Sequence, residues 1–121
     1  DIEIVEKNFE LLEGALTAEL SVSTNNERFE QLSKNYELKY KEELSFQSYA
    51  QVEYDTVFML KDAIKEVGYE ADKIADWLRS VKDWQGASGS ITLGSDGDRD
   101  GGYISKIILD GKTIELKQDS E

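Results

Sequence analysis

At 121 residues, 39% of them hydrophobic and 33% charged, the chain has enough apolar content for one folded core and too much for disorder. Its formal net charge of −12 argues against nucleic acid or an anionic membrane surface as partner, because both are bound by clusters of Lys and Arg. Cysteine and histidine are both absent, which excludes disulfides, Cys/His zinc sites, thiol nucleophiles, imidazole bases and a Ser-His-Asp triad.

Ile2, Val5, Phe9 and Leu12 recur at helical spacing, so a helix is predicted over 2–12, stopped by Gly14. Leu16, Ala18, Leu20 and Val22 alternate with polar or small residues, which predicts a strand over 15–22. Thr24 or Asn25 is placed to cap a helix over 26–43, whose apolar side is Phe29, Leu32, Tyr36 and Tyr40. After a short break a third helix is predicted over 49–67. Val52, Val57, Phe58, Met59, Leu60, Ala63, Ile64 and Val67 cover more than half of its circumference, which implies burial on more than one side. Gly68 ends it. A fourth helix over 70–82 turns Ile74, Trp77, Leu78 and Val81 inward.

Strand signals take over after Trp84, with strands predicted at 90–93 and 103–109. Asp110-Gly111 favours a type I′ turn into a last strand at 113–116. The first strand is therefore separated from the others by three helices, and the C-terminal strands read as a local meander. A lone strand leaves backbone donors and acceptors unpaired. Part of its sheet is thus expected to be missing, or to come from a second copy of the chain. Asp1 follows neither an initiating methionine nor a signal peptide and reads as a cut point. No apolar run approaches the roughly 20 residues of a membrane span.

Three segments carry a family resemblance. Leu11-Leu12-Glu13-Gly14-Ala15-Leu16-Thr17-Ala18 is similar to a Glu-Gly pair leading into a strand. Tyr49-Ala50-Gln51-Val52-Glu53-Tyr54-Asp55-Thr56-Val57 is similar to a Tyr-Ala-Ala-X-X-Tyr-Asp-Ala-Val helix start, with Thr56 replacing the usual alanine. Trp84 to Tyr103 sets Gly86, Gly89 and Gly97-Asp98 around a short strand, with Leu93-Gly94 where Phe-Asp is usual. In this order they resemble the C-terminus of the type I periplasmic binding proteins of branched-chain amino-acid uptake systems.

The resemblance implies an α/β chain forming part of a periplasmic-binding-protein lobe: three layers, helices packed on a mixed sheet, incomplete on its own. Residues 1–121 would be one domain, the C-terminal portion of a two-lobe receptor. Most of it, the 15–22 strand included, would lie in the first lobe, and the last strands would cross to the second. The implied activity is non-enzymatic. An amino acid is bound between lobes that close by hinge motion and is delivered to an ABC transporter permease, in the periplasm or at the cell surface, with no cofactor. The main serine and threonine ligand contacts would lie upstream. Tyr49 is the one ligand-binding residue carried over, its ring suited to an aliphatic side chain or an ammonium group.

The remaining features have plainer readings. Tyr54 and Asp55 read as structural, through packing and a first-turn dipole interaction. Asp96-Gly97-Asp98-Arg99-Asp100-Gly101 opens like a calcium loop, but its twelfth position is Ile107 rather than glutamate, so a polar turn with no metal is expected. Trp77 reads as core. Carboxylate pairs such as Glu42 and Glu43 or Glu19 and Glu53 arise by chance among 26 acidic residues, and no catalytic residue is assigned. The fragment itself is expected to form a homodimer. The alternatives are a freestanding acidic α/β interaction domain that assembles by strand exchange, and a weakly calcium-binding surface module.

Overall fold

The computed structural model of the chain describes residues 7–116. In chain order the elements are α1 (Phe9–Leu12), β1 (Leu16–Leu20), α2 (Glu27–Tyr40), α3 (Gln47–Val67), α4 (Ala71–Arg79), β2 (Trp84–Gly86), β3 (Gly89–Ile91), β4 (Tyr103–Leu109) and β5 (Lys112–Glu115). The α/β character expected from the sequence is present. The chain divides into two compact units, one holding the residues up to Leu20 and those from Tyr103 onward, the other running from Ser21 to Gly102.

The first unit is a three-stranded antiparallel sheet in the order β1-β4-β5. The first part of the predicted 2–12 helix lies outside the described residues, and α1 is its last turn. Gly14, at φ 78°, makes the turn into β1, and its N–H donates to the Ile108 carbonyl at 2.8 Å. The Glu13 carboxylate accepts from the Asp110 N–H at 2.9 Å. The Glu-Gly pair thus ties the start of β1 to the β4–β5 turn. That turn has φ of 51° at Asp110 and 70° at Gly111, the two positive values that a type I′ hairpin requires.

β1 corrects two expectations. It does not lack a partner: it pairs with β4 from Leu16 opposite Ile107 to Leu20 opposite Tyr103, which satisfies the backbone on one of its edges. The pairing also places β1 with the C-terminal strands rather than with the bulk of the chain. Its apolar alternation does not mark a buried face here, since Leu16 is 70% exposed and Ala18 is exposed.

In the second unit Asn26, rather than Thr24 or Asn25, caps α2. Its Oδ1 accepts from the Phe29 N–H at 2.8 Å, while its Nδ2 donates to the Ala87 carbonyl. α3 begins at Gln47 and ends at Gly68, whose φ of 83° only glycine adopts freely. α4 stops at Arg79, short of the predicted end at 82. The Ser80 hydroxyl donates to the Trp77 carbonyl, and Val81 turns away so that its own carbonyl accepts from the Leu93 N–H.

β2 pairs antiparallel with β3, Trp84 opposite Ile91 and Gly86 opposite Gly89. Phe29, Leu44 and Ala87 form one buried cluster. Met59, Val81 and Ile91 form another, with Trp77, Leu78, Trp84 and Leu93 against it. Trp77 is therefore core-facing, as its spacing predicted. α3 is covered on one stripe, Gln51, Asp55, Met59 and Ala63, and the multi-sided burial expected of it is not met. Val57 is 66% exposed and Leu60 42%.

Candidate functional site

Tyr49 lies in the first turn of α3 and is 66% exposed. The turn that carries it is anchored by Gln51, which is fully buried. The Gln51 Nε2 donates to the Ser23 carbonyl at 2.6 Å, and its Oε1 accepts from the Ser23 N–H at 3.2 Å. A buried amide that meets both backbone groups of one residue leaves neither its donor nor its acceptor orphaned. The residue ahead of the helix, Phe46, sits in the left-handed region at φ 51° and is also largely exposed. Two aromatic residues are thus presented at this helix start; the sequence reading found only one.

The chain's main buried polar cluster lies further along α3. Asp55 is 1% exposed. Its carboxylate accepts from the Ala87 N–H at 2.6 Å, the Ser88 N–H at 2.8 Å and the Ser88 hydroxyl at 2.7 Å. Ala87 and Ser88 form the turn between β2 and β3. Two adjacent amides aimed at one point make a small anion site, and here the chain's own carboxylate fills it. Gly86 permits the approach, since a Cβ there would stand 2.6 Å from Asp55 Cγ.

Arg99 closes the cluster from the other side. Its Nη1 donates to the Ser88 hydroxyl at 2.9 Å, and its Nη2 donates to the carbonyls of Ser88 and Ser90. Asp55 is therefore structural, as expected, but for a different reason. With α3 starting at Gln47 it lies beyond the first turn, where the helix dipole no longer acts. Its i, i+4 spacing with Gln51, Met59 and Ala63 was the signal that it is buried.

The acidic segment is a turn. The Asp98 N–H donates to Asp96 Oδ1 at 3.1 Å, the Gly94 N–H to the Asp98 carbonyl at 2.8 Å and the Asp100 N–H to the Thr92 carbonyl at 2.9 Å. Among the described residues no group of three or more potential metal ligands converges. Also among these residues, no helix is long and apolar enough to cross a membrane.

No family model and no curated protein matches the sequence. Solved structures do match the fold. A leucine-binding protein from Thermotoga maritima superposes with a TM-score of 0.67 at 26% identity, covering 96% of this chain and 33% of that one. An ABC transporter substrate-binding protein from Desulfitobacterium hafniense, in complex with Leu, gives 0.63 at 24% identity, covering 91% and 33%. A branched-chain amino acid transporter substrate-binding protein from Streptococcus pneumoniae, in complex with isoleucine, gives 0.62 at 22% identity, covering 85% and 30%. The chain spans about a third of the length of these proteins.

Its fold is that of part of an ABC-transporter substrate-binding protein. Within that class the architecture is that of a type I periplasmic binding protein of the branched-chain amino-acid group, the family that its motifs resemble.

Proposed function

We propose that the chain is the C-terminal portion of a two-lobe extracytoplasmic receptor. It binds and releases a branched-chain or related amino acid and presents it to an ABC transporter permease, in the periplasm or at the cell surface. In this reading the residues around β1, β4 and β5 belong to one lobe and Ser21 to Gly102 to the other. The observation that carries the proposal is the match of 96% of the chain to a third of a leucine-binding protein. The role is recognition without covalent chemistry, in keeping with a chain that has neither histidine nor cysteine.

Tyr49 is the residue assigned to the ligand, through packing of its exposed ring on an aliphatic side chain or an ammonium group. In the complete receptor, Tyr49→Ala is expected to weaken amino-acid binding about tenfold, the equivalent of about 1.4 kcal/mol. Isothermal titration with leucine, isoleucine and valine measures this, and an unchanged dissociation constant removes Tyr49 from the site.

The isolated chain is also expected to self-associate, for which the open edge of β1 and exposed Leu16 provide the surface. A two-fold contact is the simplest arrangement. Charge repulsion opposes it but is screened beyond about 8–10 Å at physiological salt. Light scattering over a concentration series decides the point: a monomer mass throughout, in physiological salt, ends the dimer reading.

A further inference from the structure

Asp-Gly occurs at 96–97, 100–101 and 110–111. At such a pair the backbone nitrogen of the glycine can attack the Cγ of the aspartic acid, because no glycine Cβ shields that nitrogen or restricts its approach. An N–Cγ bond forms, the Cγ–OH and N–H bonds break, and one water leaves. The product is a five-membered succinimide. Water then opens the ring. Cleavage of the N–Cγ bond restores aspartate. Cleavage of the bond to the backbone carbonyl carbon leaves isoaspartate, whose main chain runs through Cβ and Cγ. The sequence requires no oxidant and no cofactor.

The three pairs are alike in sequence, and the fold separates them. At 96–97 both reacting groups are held. Asp96 Oδ1 accepts from the Asp98 N–H at 3.1 Å, and the Gly97 N–H donates to the Gly94 carbonyl at 3.0 Å. At 110–111 the backbone is held. The pair forms the type I′ turn between the paired Leu109 and Lys112, and Glu13 binds the Asp110 N–H. Such a turn keeps ψ of its first central residue near about +30°, which points the glycine nitrogen away from the aspartate Cβ.

At 100–101 neither restraint applies. The Asp100 N–H donates to the Thr92 carbonyl. The next anchor is the Gly102 carbonyl, which accepts from the Ser21 N–H at 2.9 Å and the Ser21 hydroxyl at 3.0 Å. Between these anchors the Asp100 carboxylate and the Gly101 N–H have no hydrogen-bond partner among the described residues. Gly101 and Gly102 both have positive φ, 75° and 81°, and two glycines in succession give the peptide its freest rotation. Asp100 is exposed, and a Cβ at Gly101 would meet nothing within 4 Å, so water has access to the imide.

We propose that Asp100–Gly101 is the site at which the folded protein isomerises to isoaspartate, ahead of the other two pairs. The change adds a methylene to the chain between Arg99, which holds Ser88, and Gly102, which holds Ser21. The proposal is independent of the receptor reading.

The product of the whole reading frame is incubated at neutral pH, folded and, in parallel, in urea. Trypsin cuts after Lys82, Arg99, Lys106 and Lys112, which places the three pairs in separate peptides, 83–99, 100–106 and 107–112. Where isoaspartate at 100 blocks the cut after Arg99, peptide 83–106 is read instead. Electron-transfer fragmentation distinguishes isoaspartate from aspartate. In urea the three pairs should isomerise at comparable rates. In the folded protein the pair at 100–101 should react about tenfold faster than either of the others, the factor that one net hydrogen bond is worth. The proposal is overturned if the pair at 96–97 or 110–111 keeps pace in the folded protein. It is also overturned if no site reacts while the urea sample does. A preference for Asp100 that is equally large in urea overturns it as well, since flanking residues and not the fold would then choose the site.

Discussion

Asp55→Ala is expected to lower the stability of the Ser21–Gly102 unit by about 3–5 kcal/mol, the range for removing one member of a buried charged hydrogen-bonded set. The carboxylate is 1% exposed and accepts three hydrogen bonds from the β2–β3 turn. Its removal leaves the N–H groups of Ala87 and Ser88 buried without an acceptor, and each such orphan costs about 1–3 kcal/mol. The loss is a large share of the roughly 5–15 kcal/mol that holds a domain folded. Urea unfolding should show a lower midpoint. Asp62→Ala is the comparison, because Asp62 accepts a single bond, from the Trp84 indole N–H at 3.2 Å, and should cost about 1 kcal/mol. A loss of similar size in both variants would mean that water or relaxation satisfies the turn, and that the carboxylate is not what holds it.

Gly86→Ala should be the second most damaging change, at about 1–3 kcal/mol, the usual cost of overpacking. The new methyl group would meet Asp55 Cγ at 2.6 Å and Oδ1 at 2.8 Å. A flexible side-chain end could swing aside, but this carboxylate is pinned by three hydrogen bonds, so relief requires breaking them. The clash and the hydrogen bonds therefore form one coupled set, and a double-mutant cycle exposes the coupling. In an Asp55→Ala background the alanine at position 86 should cost close to nothing. Full additivity of the two changes would contradict the geometry.

How far the sequence could be read depended on the range of the interactions. The limits set by local chemistry were legible. Gly68 ends α3, Asp110-Gly111 turns the hairpin, and β4 spans Tyr103–Leu109 as predicted. The partner of β1 was not legible, because β4 lies at the other end of the chain and pattern alone does not say which strands meet. β2 was missed as a strand because three residues, Trp84 to Gly86, give too short a pattern and become a strand only against β3. α4 ends early because Val81 leaves the helix for Leu93, a contact invisible to helical periodicity.

Tyr49, proposed through resemblance, sits exposed at a helix start. The cluster of Asp55, Ser88 and Arg99 drew no such attention, since its members come from three separated segments and its polar residues occupy positions that patterning reserves for apolar ones. The apolar residues that looked excessive on α3, Val57 and Leu60, remain exposed.

Calorimetric titration of leucine into the 121-residue chain and into the product of the whole reading frame tests the receptor reading most directly. The longer protein should bind with a micromolar or tighter dissociation constant, about −8 kcal/mol or better, and the 121-residue chain should give no binding heat at the same concentrations. Micromolar binding by the 121-residue chain alone, or no binding of any branched-chain amino acid by the longer protein, would contradict it.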